Sequence, residues 1–171
     1  MRRVTVGVLC LLFVSTFGLA GDPDYAVREK GGPSFENQPD KASVYIVRPA
    51  NMGKAIRIWA FADESVIGLT KGNTYAHVYL DPGTYLFWSR AENVSAVELE
   101  VAAGQTYFIK HKVKIGGLKA RVRTEIISEE EGRDALRKCE KYSTLTEAGK
   151  ARGAEISAEK YAVAQEKASE Q

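Results

Sequence analysis

The sequence predicts an all-β fold: an antiparallel β-sandwich of seven to eight short strands, followed by a C-terminal helix and a helical or disordered tail. Three observations carry this. Between residues 42 and 127, runs rich in Val, Ile, Tyr, Phe and Thr follow one another closely. Several alternate apolar and polar side chains with period two, as a sheet with one buried face requires. Each run is closed by Gly, Asn or Pro. With connections this short, consecutive strands are expected to pair antiparallel. Eight strands close better as two packed sheets than as one open sheet, with a small barrel as the second choice.

In chain order, residues 1–20 open with Arg2 and Arg3, continue through an apolar run and end on Gly18-Leu19-Ala20. This is the pattern of a secretory signal peptide cleaved after Ala20, and it is too short to span a membrane. Cys10 raises the competing reading of a membrane-anchored lipoprotein, against which stands the bulky Leu9 before it. Residues 21–41 are rich in Gly, Pro, Asp, Asn and Glu and read as a flexible lead-in.

The domain is expected over residues 42–142, with strands at 42–48, 55–62, 65–70, 74–80, 84–89, 94–101, 105–113 and 118–127. Thr74, Ala76, Val78 and Leu80 alternate with Tyr75, His77 and Tyr79. Lys71-Gly72-Asn73, Asp81-Pro82-Gly83, Ala103-Gly104 and Gly116-Gly117 supply residues that accept positive φ or preset a turn. Ser128-Glu129-Glu130-Glu131 is a capping box, so a helix over 129–142 should follow, its Ala135, Leu136, Cys139 and Tyr142 stripe packing on an edge or open end of the sandwich. The Ala/Glu/Lys-rich residues 143–171 favour helix but offer little to bury, which predicts a projecting, frayed or disordered tail.

Composition narrows the function classes. The chain carries 24 Lys and Arg against 22 Asp and Glu, and the leader's two arginines account for the excess. A neutral mature chain has no global field to gather it on nucleic acid, and it holds no membrane span once the leader is removed. Of the two cysteines, Cys139 alone would survive processing, so no intramolecular disulfide is expected.

The run Ser43-Val44-Tyr45-Ile46-Val47-Arg48-Pro49, with Ile67-Gly68-Leu69, Asp81-Pro82-Gly83-Thr84-Tyr85 and Ala103-Gly104-Gln105-Thr106-Tyr107-Phe108, resembles the bacterial exported family catalogued as domain of unknown function 2846. Its turn elements are also similar to those of PEGA and carboxypeptidase-regulatory-like modules, which are prealbumin-type sandwiches. The resemblance implies an exported β-sandwich of the cell envelope. It carries no catalytic residue over.

The most functional-looking surface is a hairpin in which Lys110, Lys112, Lys114, Lys119, Arg121 and Arg123 would share one face and could hold phosphate or carboxylate groups. Glu98, Glu100 and Glu125 could neutralise it from neighbouring strands, and cationic edges also discourage aggregation. Trp59, Tyr75 and Tyr79 could face outward and stack on sugars, or they could be core. His77 and His111, the two histidines, lack a third ligand for zinc or a partnered nucleophile, so neither a metal, a cofactor nor catalysis is expected. The sequence thus predicts a non-enzymatic domain, periplasmic or secreted, that contacts an envelope protein or an anionic envelope polymer. A carbohydrate- or cell-wall-binding module is the alternative, and a hydrolase of unrecognised type the remote one.

Overall fold

The computed structural model describes residues 24–31, 38–116 and 119–170. The leader with its expected cleavage point, Cys10 with its lipoprotein reading, residues 21–23 and 32–37 of the lead-in, and Gly117 of the Gly-Gly turn lie outside the described residues. Among those described, the chain runs β1 (Ala26–Lys30), β2 (Ala42–Arg48), β3 (Ile58–Ala62), β4 (Ser65–Thr70), β5 (Thr74–Leu80), β6 (Gly83–Arg90), β7 (Val94–Val101), β8 (Thr106–Gly116), β9 (Lys119–Ile127), α1 (Glu129–Lys138), β10 (Lys141–Leu145) and α2 (Glu147–Ser169).

The fold is mostly β and is built as two sheets. One has six strands in the order β1-β10-β5-β2-β8-β9, the other four in the order β4-β3-β6-β7. Val44, Ile46, Ala76 and Ile109 from the first meet Ala60, Ala62, Phe87 and Val101 from the second in a shared core. Each sheet also has a covered outer face. Trp59, Phe61, Leu69, Trp88 and Ala96 pack beneath Ile156 and Ala164 of α2. Val47, Tyr75 and Phe108 pack beneath Ala135 of α1 and Cys139. The layers are therefore helix, sheet, sheet, helix, which gives a chain of this length three apolar interfaces to bury.

Several expectations are corrected. Ten strands are described, and the sheets are not wholly antiparallel: β2 pairs β8 in parallel, as does β10 with β5. Part of the supposed lead-in is β1, which pairs over its whole length with β10, a strand that takes the last two residues of the expected helix and the first three of the supposed tail. The rest of that tail is α2, capped by Thr146, whose hydroxyl accepts from the Gly149 amide at 3.1 Å. Gly149 and Gly153 face the sheets so closely that a Cβ would lie 2.0 Å from the Tyr25 carbonyl oxygen and 2.6 Å from Val66. Small residues at i and i+4, in place of an apolar stripe, let α2 dock.

Ser128 caps α1 as expected, its hydroxyl accepting from the Glu131 amide at 3.2 Å. The helix ends at Lys138, and it lies on the outer face of the six-stranded sheet, with Gly132 against the Phe108 ring, instead of at an edge. The turns carry positive φ at Asn73 (58°) and Gly104 (70°).

Candidate functional site: the cationic hairpin

β8 and β9 pair antiparallel in a register that sets Lys110 opposite Glu125, Lys112 opposite Arg123, Lys114 opposite Arg121 and Gly116 opposite Lys119. Side chains two apart on a strand share a face. Lys110, Lys112, Lys114, Arg121 and Arg123 therefore stand together on the outer face of the six-stranded sheet, and Lys119 holds a register position on that same face. Of the three acids that could have neutralised them, Glu125 alone is in place. Glu98 and Glu100 belong to β7 of the other sheet.

Glu125 lies 3.2 Å from the Arg123 Nε and 3.9 Å from the Lys112 Nζ. Lys110 is drawn toward α1, where its ammonium donates to Glu131 at 2.7 Å and holds that carboxyl below its ordinary range. Lys114 and Arg121 meet no carboxylate within ion-pair distance among the described residues. Like charges directly opposite on paired strands repel. Lys112 with Arg123, and Lys114 with Arg121, are two such pairs in succession. With Lys112 and Arg123 more than half exposed, the face presents a row of solvated donors about one residue-pair repeat apart.

The edge beneath this row is closed. Asn93, at the start of β7, donates its amide to the Val122 carbonyl at 2.9 Å and accepts the Val122 N–H at 2.7 Å. The Ser95 hydroxyl accepts the Thr124 N–H at 3.0 Å. Side chains of the four-stranded sheet thus occupy backbone groups that an edge strand would otherwise offer to another chain.

The other candidate residues fall elsewhere. Trp59 and Tyr75 are 8% and 7% exposed, the first beneath Tyr25 and α2, the second against Tyr142 with ring centroids 5.3 Å apart. Neither offers a flat face to a sugar, which corrects their reading as contact residues. Tyr79 is half-buried, edge-on to His77.

His77 and His111 are not brought together, since β2 separates their strands and they face opposite sides of the sheet. His77 Nε2 shares a hydrogen bond of 2.7 Å with Ser43, and His111 Nδ1 one of 2.9 Å with Thr70. Burial pushes the two imidazoles down to about 4 and about 3, the nearby Arg48 charge adding to the effect on His111. The Ser43–His77 pair is absent from the sequence reading. Its signal lay in the β2–β5 register, which sets Ser43 opposite Tyr79 and next to His77. A base held neutral down to about pH 4 by burial is weak.

Among the described residues, no three His, Cys, Asp or Glu side chains are grouped to hold a metal ion, and no helix is long and apolar enough to cross a membrane. Cys139 is buried, and burial raises its thiol to about 11, which leaves it unreactive.

No protein-family model matches the chain, and no solved structure does. Among curated proteins, the chain is similar to an uncharacterized protein of Haemophilus influenzae, 26% identical over 140 residues that cover 80% of this chain and 81% of that relative.

Proposed function

We propose that this protein is a non-enzymatic cell-envelope domain, periplasmic or secreted, that binds a polymer or lipid surface bearing repeated phosphate or carboxylate groups through the outer face of β8 and β9. One observation carries the reading: two successive cross-strand pairs of like charge, Lys112 with Arg123 and Lys114 with Arg121, share one carboxylate between them. An arrangement that weakens its own sheet is stabilised when anions lie across it. The secretory pattern of residues 1–20 supports the compartment, and the resemblance to exported domains supports it as well. Stacking on sugars is the weaker reading, because two of its three rings are buried.

The test is sedimentation of the full chain with vesicles of phosphatidylglycerol and phosphatidylcholine, across about 50 to 500 mM NaCl. Binding should require the anionic lipid, weaken about tenfold over that range, and disappear when Lys112, Lys114, Arg121 and Arg123 are all replaced by Gln. Salt-insensitive binding, or binding unchanged in the folded fourfold variant, would overturn the proposal.

A further inference from the structure

The hairpin cations do not stand on an outermost plane. α1 lies on the same outer face of the six-stranded sheet, with Gly132 over the Phe108 ring and Glu131 accepting from Lys110 at 2.7 Å. A helix with its side chains is about 10 Å across, so α1 rises beside the cations as a step. In the angle between helix and hairpin is a recess of about 680 Å³, lined by Lys110, Lys112, Arg123, Glu125 and Glu131 among others. The first turn of α1 is acidic, and its Glu129, Glu130 and Glu131 are all exposed.

This relief decides what reaches the cations. A bilayer is flat on the scale of the domain, so it meets α1 and the carboxylates of its first turn before it meets the hairpin. The height of the step matches the distance over which an anionic lipid surface loses its pull on Lys and Arg, about 8 Å at physiological salt. The length of the side chains narrows that gap without closing it. An apolar anchor, which adds to charge in holding a protein on lipid, is also missing from the outer face of the hairpin among the described residues. The exposed large apolar side chains are Val27, Met52, Ile126 and Val163. Val27 is on β1 at the far edge of the sheet, Met52 in the loop after β2 and Val163 on α2, and Ile126 alternates to the face of β9 opposite the cations.

A polymer one chain wide meets neither obstacle. The pairs Lys112 with Arg123 and Lys114 with Arg121 lie two residues apart along the hairpin, a spacing of about 7 Å. A single chain laid in the recess sets successive oxyanions on successive pairs. Resting on the reading of the hairpin as an anion site, we propose that its ligand is one linear polyanion with closely spaced oxyanions, seated beside α1, and not the surface of a lipid bilayer.

The test compares three probes on the full chain in one buffer of about 100 mM NaCl: galacturonate, its linear hexamer, and phosphatidylglycerol vesicles counted by outer-leaflet lipid. In calorimetry the hexamer should bind at least about tenfold more tightly than the monomer, since each further carboxylate engages at high effective concentration. It should also bind at least about tenfold more tightly than the vesicles per anionic group, and it should release protein that has sedimented with them. Replacing Lys112, Lys114, Arg121 and Arg123 by Gln should abolish hexamer binding in a variant that keeps the wild-type circular dichroism. Equal affinity for monomer and hexamer, or vesicle binding as tight as that of the hexamer, overturns the polymer assignment and leaves the hairpin an anion site. Binding to neither hexamer nor vesicles, or a folded fourfold variant that holds the hexamer as the wild type does, overturns the hairpin reading and this inference with it.

Discussion

Arg48 is a fully buried cation that makes no ion pair with a carboxylate among the described residues. Its guanidinium donates from Nη1 to the Ile56 carbonyl at 2.6 Å and from Nη2 to the Gly53 carbonyl at 2.7 Å, so it organises the loop between β2 and β3 through backbone dipoles. Burial lowers it to about 10, which still leaves it charged at neutral pH. That buried charge is one reason His111 stays neutral.

A pH dependence follows from the histidines. In the unfolded chain both titrate near 6.5; in the fold they do so at about 3 and about 4. Between those limits the unfolded state binds more protons, so stability is unaffected above about pH 6.5 and falls as the pH drops toward 4. The slope is about 1.4 kcal/mol per pH unit for each histidine. Urea midpoints at pH 7, 5.5 and 4.5 should fall in that order, and His111→Gln should flatten the decline. Asn93 supports a second prediction at this scale. Asn93→Ala removes both hydrogen bonds to Val122 and should cost about 1–3 kcal/mol in chemical denaturation.

Among the elements, the two helices dock by close approach, and glycine makes the approach possible. A Cβ at Gly132 would fall 2.0 Å from the Phe108 ring, so Gly132→Ala should destabilise the protein by about 1–3 kcal/mol despite alanine's better helix propensity. The same substitution at an exposed helical site would stabilise, so the sign of the measured change decides the point. Ile156→Ala, which empties the apolar contact of α2 with Trp59, should cost about 2–5 kcal/mol in thermal or urea unfolding.

Most strands were legible because their alternation and turn residues are local properties; β2, β4, β5 and β7 coincide with the runs read from the sequence. β1 and β10 were not. Each is five residues long, and each is defined by a partner more than a hundred residues away. The docking of α2 was hidden for a different reason, since its buried face is built of Gly149, Gly153, Ser157 and Ala164 as much as Ile156. The shared face of the hairpin cations was readable because register in a tight hairpin is itself local. The burial of Trp59 and Tyr75 was not, because period two distinguishes buried from exposed only when one face of a sheet is wet, and where these two residues sit the helices and their flanking segments cover the outer face as well.

At the scale of the whole fold, the described residues are held by three apolar interfaces without a disulfide among them, Cys139 being a free buried thiol. Reducing agents should leave the thermal midpoint unchanged. Ending the chain at Thr146 should expose the outer face of the four-stranded sheet, including Phe61 and Trp88, which stack at 3.9 Å. The shortened protein should self-associate in analytical ultracentrifugation, as uncovered apolar sheet faces do. A monomer as stable as the full chain would show that α2 is dispensable.

The pairing of β1 with β10 has a consequence for the order of events. The strand made first stays without its partner until the stretch from Lys141 to Leu145 has been synthesised, and α2, which seals the same corner, comes later still. Closure of that edge therefore waits on a contact between distant parts of the chain, which makes it a late step of folding.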